Sequence, residues 1–231
     1  MAPEIKVWIQ RIEEMRSSLS KRYGKHCDIP VDVFWEKTRR AFLLLDLVEN
    51  SKTHKDLKLE ARKNFIINCV TALEVFLKDM LVGLLENVDL PKLNELLNEK
   101  ITLWEAYKLF YRNKVSAGEL IAIKYSLQNL EQINLIFSKL IEKKFLTEIG
   151  SFDVKDERGR TKFVLDKKYP DWKERLAELF ELRHRFVHQI SFNDKLGLER
   201  LRKLWECLTH FVEATEQYLF EYIPIEENDE L

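Results

Sequence analysis

The chain is predicted to be all-α, and three observations carry that prediction. Glycine and proline number only 6 and 5 in 231 residues, few for the tight turns that a β-sandwich or barrel consumes. Apolar residues recur at three- and four-residue spacing over long stretches, the period of a helix with one buried face. Three capping boxes stand at Thr102–Glu105, Ser116–Glu119 and Asp171–Glu174, where side chains satisfy the orphan N–H groups of a helix start.

Read in order, Ile5, Trp8, Ile9, Ile12, Met15 and Leu19 mark a first amphipathic helix from Pro3 to Arg22, ended by Gly24. A second starts near Asp28–Pro30 and sets Val33, Phe34, Thr38, Ala41, Leu44, Leu45 and Val48 on its buried side. The third, about 58–87, is the most apolar element. Residues from Phe65 to Leu85 cover well over half its circumference, so it is expected at the centre, packed on several sides. Asn68, Glu74, Lys78 and Asp79 stand within it as candidates for polar work in a buried setting.

Asp89–Pro91 opens a short helix, and the boxes at Thr102 and Ser116 divide residues 92–144 into several more. The stretch 150–170 breaks the pattern and reads as a loop or small hairpin, with Lys162–Leu165 its strand-like part. From Asp171 a helix runs to about His188, and Ser191–Asp194 interrupts. A last helix carries Leu198, Leu201, Trp205, Leu208, Phe211, Val212, Thr215 and Leu219 inward. Residues 223–231 form an acidic, solvated tail. One helical domain spanning 1–231 is expected.

Composition limits function. A hydrophobic fraction of 45% fills a core and 33% charged residues solvate a surface. Net charge is −1, so no global basic footprint for nucleic acid exists and any anion site must be local. Cys27, Cys69 and Cys207 are odd in number and widely spaced, which supports neither a disulfide framework nor a zinc ribbon. Cys69 and Cys207 read as small core residues. The start lacks a signal-peptide apolar region. The most apolar runs, 41–48 and 80–85, are too short to span a bilayer. A cytoplasmic location without membrane contact is the expectation.

The informative segment is Glu181–Leu–Arg183–His184–Arg185–Phe–Val–His188. As a bare pattern Arg-x4-His is weak: with 14 Arg and 5 His in the chain, about 0.3 matches arise by chance. Its context strengthens it. The motif ends one helix just before a break and a long amphipathic helix, and upstream lies the very apolar helix with Ala72–Leu–Glu74–Val–Phe–Leu–Lys–Asp79.

This arrangement resembles the HEPN superfamily of all-helical RNases and nucleotide-binding domains. Its nuclease motif is Arg, a polar residue, three residues and His, which Arg183, His184 and His188 match. The resemblance implies an elaborated HEPN-like helical bundle. Its core would be about 58–90 plus 171–222, with elaborations at 1–57 and 91–170. It also implies metal-independent endoribonuclease action that leaves a 2′,3′-cyclic phosphate and a 5′-hydroxyl, with no cofactor. RNA is then the substrate, and a two-fold homodimer brings two motifs into one composite cleft. Such domains commonly serve as toxins or in phage defence, so an inhibitory antitoxin or defence-system partner is implied as well.

The residue types suit that chemistry. Attack by the ribose 2′-OH needs a base near neutral pH, and histidine has the appropriate pKa. Negative charge growing on the phosphoryl oxygens calls for arginine, planar and always charged. His188 is thus the candidate general base or acid, Arg183 the phosphate holder and His184 an orienting or substrate-contacting residue. Glu74 would position Arg183 or His188. Arg185, Arg158, Arg160 and Lys162 are candidate RNA contacts.

Plainer readings stand beside these. Arg183 also reads as a surface helix charge and His188 as a C-terminal residue favoured by the helix dipole. His184 and His188 form an i,i+4 pair that suits zinc, but no third ligand has a fixed spacing. Glu74 reads equally as a core ion-pair partner. The alternative for the whole chain is a non-catalytic HEPN-like helical module that binds a nucleotide or a protein.

Overall fold

A computed structural model of the chain describes residues 9–13, 30–86, 102–112, 114–188 and 196–221. Residues 9–13 are helical, within the first expected helix, and Ile12 is buried. The rest of that helix, Gly24, Cys27, the short helix after Asp89, the break at 191–194 and the acidic tail lie outside the described residues.

Helix α1, Pro30–Asn50, starts on a proline, whose fixed φ and missing N–H suit the first helical turn. It buries Phe34, Thr38 and Leu45. Buried Thr38 satisfies its hydroxyl by donating to the Phe34 carbonyl at 2.9 Å. Leu44 departs from expectation, with 57% of its surface exposed. The apolar seam passes through Ala41 and Leu45, so Leu43, Leu44 and Leu47 face solvent.

Helix α2, Lys55–Glu86, is about 48 Å long. It buries thirteen side chains from Phe65 to Leu85 and packs against α1 and against four helices that follow it. Its centrality follows from an apolar surface that no single neighbour can cover. Asn68, expected in a buried setting, is exposed and donates to its own helix at the Asn64 carbonyl, 2.7 Å away.

Short α3, Leu103–Ala106, runs on into a π-helical segment, Tyr107–Arg112. Helix α4, Ala117–Lys124, opens on the expected capping box: Ser116 Oγ accepts from the Glu119 N–H at 3.0 Å, and Glu119 accepts from the Ser116 N–H at 2.8 Å. Helix α5, Leu130–Ile141, has an N-cap at Asn129, whose Oδ1 accepts from the Gln132 N–H at 2.8 Å. Helix α6, Phe145–Ser151, follows.

The stretch after Gly150 is a hairpin. Strands β1, Asp153–Lys155, and β2, Thr161–Val164, pair antiparallel with an irregularity after Val154. Gly159 turns the chain at φ 73°, where any side chain is strained. The strand β2 sits one residue earlier than expected, because Leu165 begins the short helix α7, Leu165–Lys168. Strand β1, with one inward apolar residue, Val154, gives no alternation to read.

Helix α8, Trp172–His188, and helix α9, Leu198–Phe220, complete the bundle. Helices α1, α4, α5, α8 and α9 all contact α2, and one continuous core joins them. Trp172 anchors α8: its indole N–H donates to Asp166 at 2.7 Å and its ring stacks on Phe211 of α9. Gly150 makes room for that carboxylate, since a Cβ there would come within 2.5 Å of Asp166 Oδ1. Cys69 and Cys207 are buried free thiols, as core residues should be, and burial pushes the Cys207 thiol up to about 12. Among the described residues no helix is long and apolar enough to cross a membrane.

Candidate active site around Arg183 and His188

Three elements converge on Arg183. Helix α8 carries it just past the buried stripe Leu176, Leu179, Phe180 and Leu182, so its stem lies along the core and its head reaches the edge. Helix α2 presents Glu74 one turn below Lys78. The link between α4 and α5 supplies Gln128, held in place because its neighbour Leu127 is completely buried.

Together they form a chain of hydrogen bonds. Arg183 Nη1 donates to Gln128 Oε1 at 3.0 Å, and Gln128 Nε2 donates to Glu74 Oε2 at 2.6 Å. The other oxygen of Glu74 meets Lys78 Nζ at 3.0 Å, with the two side chains 16% and 23% exposed. The orientation of the amide is dictated by its partners, because a guanidinium only donates and a carboxylate only accepts. Glu74 thus reaches Arg183 through Gln128 rather than directly.

Among the described residues no carboxylate forms an ion pair with this guanidinium. Among the described residues its hydrogen-bond partner is a neutral amide, and Nε is buried with no partner. A half-buried arginine kept for structure is ordinarily matched by a carboxylate. Here Glu74 spends its charge on Lys78. Arg183 is left as a positioned cation with donors to spare for an incoming anion.

His184 and His188 lie farther along α8, both exposed, with ring centroids 4.7 Å apart. His188 does not stand in the core. The helix is continuous through His188, so Arg183 and His188 are about 140° apart around the axis and ~7.5 Å apart along it. Both stand in the last two turns of the helix, but not on one face of it. Among the described residues no group of three His, Cys, Asp or Glu side chains gathers around a common point.

The candidate RNA contacts divide. Arg185 is ion-paired with Glu181 on its own helix. Arg160 pairs with Asp156 at 2.7 Å and Lys162 with Glu213 at 2.6 Å. Arg158 and Lys155 line an open groove with these pairs and Gln217, so the hairpin carries mixed charge rather than a basic strip. Gln128 was not legible in the sequence. A lone glutamine between two helices carries no spacing signal, and only the packing of α4 and α5 onto α2 sets it between Glu74 and Arg183.

A part-buried ion pair also joins α1 to α2. Arg62 of α2 holds Glu49 of α1 through Nε and Nη2, at 2.6 and 2.9 Å. Its Nη1 donates to the Leu196 carbonyl at 2.7 Å. The Arg62 hydrogen bond holds the Glu49 carboxyl below its ordinary range against the opposing effect of burial. The backbone is thereby fastened eight residues beyond His188.

Comparison with known proteins gives one positive result. The family model described as RiboL-PSP-HEPN matches residues 32–221, which takes in all but the first two residues of α1, the whole of α2 through α9, and every residue of the Glu74–Gln128–Arg183 chain. Neither the curated proteins nor the solved structures give a match.

Proposed function

The chain belongs to the RiboL-PSP-HEPN family, and from that premise we propose that it is a metal-independent endoribonuclease. The observation that carries the reading is Arg183: a half-buried guanidinium, oriented by a neutral amide and with no ion-pair partner among the described residues, on the same helix as two exposed histidines. That is the equipment for a phosphodiester. The cation stabilises charge developing on the non-bridging oxygens. Histidine takes the proton of the 2′-OH as its oxygen bonds to phosphorus, and the P–O5′ bond breaks as that oxygen gains a proton. The products are a 2′,3′-cyclic phosphate and a 5′-hydroxyl.

The 140° splay of Arg183 and His188 argues that one helix does not complete the site. A second copy, related by a two-fold axis, supplies the other pair, so that one His188 acts as base and the other as acid. His184 orients or contacts the substrate. The biological setting we attach to this activity is a toxin or phage-defence effector held in check by a partner protein.

The test is incubation of RNA with the purified protein in EDTA, alongside Arg183→Ala and His188→Ala. Cleavage by the wild type alone, with cyclic phosphate ends, is expected. Dependence on added zinc or magnesium would replace this reading with a metal mechanism. In cells, wild-type expression is expected to slow growth and the two variants are not.

The same splay favours a second reading, a non-catalytic nucleotide- or protein-binding module. A strict monomer that binds a nucleotide and leaves RNA intact would establish it.

A further inference from the structure

The π-helical segment and the turn before it expose a column of aromatic rings. Trp104 and Tyr107 stack with centroids 5.5 Å apart and planes 6° from parallel, and Tyr107 and Tyr111 stack at 5.1 Å and 21°. All three face solvent, Trp104 at 61% and Tyr111 at 74% exposure. Buried Leu109 anchors the segment on the opposite side against Val115 and Leu120. Residues 104, 107 and 111 are spaced three and four apart, so the helix sets them on one face, and π-helical turns such as this one concentrate at functional sites. Lys108 Nζ lies 4.8 Å from the Trp104 centroid.

Folding normally hides rings of this size, and three in an ordered exposed stack call for a ligand with π-faces of its own. We propose that this column is a stacking platform for the unpaired bases of single-stranded RNA. The inference rests on the ribonuclease reading for the identity of its ligand. Near-parallel rings already ordered in one column lose little entropy when a base adds the next layer. Every base has a face to offer, so the platform is tolerant of sequence. The cation beside Trp104 matches the polyanionic backbone that any such strand carries. Two tyrosine hydroxyls and an indole N–H at the ring edges suit a wet, polar ligand better than a dry apolar one.

Base-paired RNA keeps its base faces stacked inside the duplex, so the platform selects unpaired regions.

The experiment uses a short fluorescein-labelled 2′-O-methyl oligonucleotide, which lacks the nucleophilic hydroxyl and reports binding without cleavage. Anisotropy is measured with the full chain, with Trp104→Ala, Tyr111→Ala and the double variant, and with Trp104→Phe, which keeps a ring. Each alanine is expected to weaken single-strand binding about tenfold or more, and Trp104→Phe to restore most of it. The same strand annealed to its complement should bind weakly to every form. Unchanged affinity in the alanine variants, or equal binding of duplex and single strand, overturns the proposal. So does a shift from dimer to monomer with RNA affinity intact, which would make the column a contact between copies. If the wild type binds through the column yet never cleaves unmodified RNA, the ribonuclease reading fails and the platform stands.

Discussion

Replacing Gln128 with leucine tests whether Arg183 is oriented by the amide or merely lies beside it. The substitution keeps the approximate volume and removes both ends of the relay, the 3.0 Å bond from Arg183 and the 2.6 Å bond to Glu74. A hydrogen bond to a charged group contributes roughly 1.5–3 kcal/mol net. The two together set a ceiling of ~6 kcal/mol. Glu74 keeps Lys78, and both members of that pair are partly exposed, so water recovers some of the loss. The expected destabilisation is about 2–3 kcal/mol, or a fall in Tm of roughly 4–12 °C for a domain of this size.

The effect on rate should be separate from the effect on stability. A guanidinium released from its acceptor samples several rotamers, and misplacement by about an ångström can cost on the order of 10²-fold. Cleavage by Gln128→Leu is therefore expected to fall ~10–100-fold in kcat with little change in KM. Gln128→Glu is the informative companion. It keeps an acceptor for Arg183 but faces Glu74 with a second carboxylate, so its stability should improve as pH falls and one proton is shared. Differential scanning calorimetry and steady-state cleavage of a fluorogenic RNA read the two effects. A Gln128→Leu protein that melts within about 1 °C of wild type and cuts at full rate would refute the relay.

Three further outcomes are expected. His188→Ala should melt within about 2 °C of wild type, because the imidazole is exposed, and should lose on the order of 10²–10⁴-fold in cleavage; a large drop in Tm with specific activity kept would return His188 to a structural role. Arg62→Ala should cost about 2–4 kcal/mol in urea unfolding by stranding Glu49, only 10% exposed, and the Leu196 carbonyl. Combining it with Glu49→Ala should cost less than the sum of the two changes. Burial, with Asp32 and Glu213 nearby, pushes the Glu216 carboxyl up to about 7. A raised carboxyl favours the protonated folded state, so its contribution is full below about 4.5 and is lost as pH rises through 7. The gap caps the effect near ~3 kcal/mol, and partial exposure reduces it to about 1–2 kcal/mol. Glu216→Gln should flatten that decline in a thermal-melt pH series, and an unchanged profile would exclude Glu216 as its source.

The helical class, the central role of α2 and the three long helices around it were legible from the chain alone. The reason is physical: a helix that must bury one face writes a 3.6-residue period into its own residues. The Ser116 box was legible for the same local reason, since cap and partner lie three residues apart. Arg183 and His188 stand out as candidates through an Arg-x4-His spacing in a helical context, and Glu74 through its polarity on an apolar helix.

What the sequence alone did not determine is who touches whom. Gln128 stands 54 residues from Glu74 and 55 from Arg183, and no periodicity encodes a contact at that range. Nor did local pattern separate Leu44, which faces solvent, from Leu45, which is buried; the direction from which α2 approaches α1 decided it. The spacing of Trp104, Tyr107 and Tyr111 puts them on one helix face, but that this face stays open to solvent was decided by what the rest of the chain covers. Short-range capping and amphipathic period are properties of a segment. Long-range pairing such as Lys162 with Glu213, the relay through Gln128 and the exposure of the ring column arise only when distant segments are packed against one core.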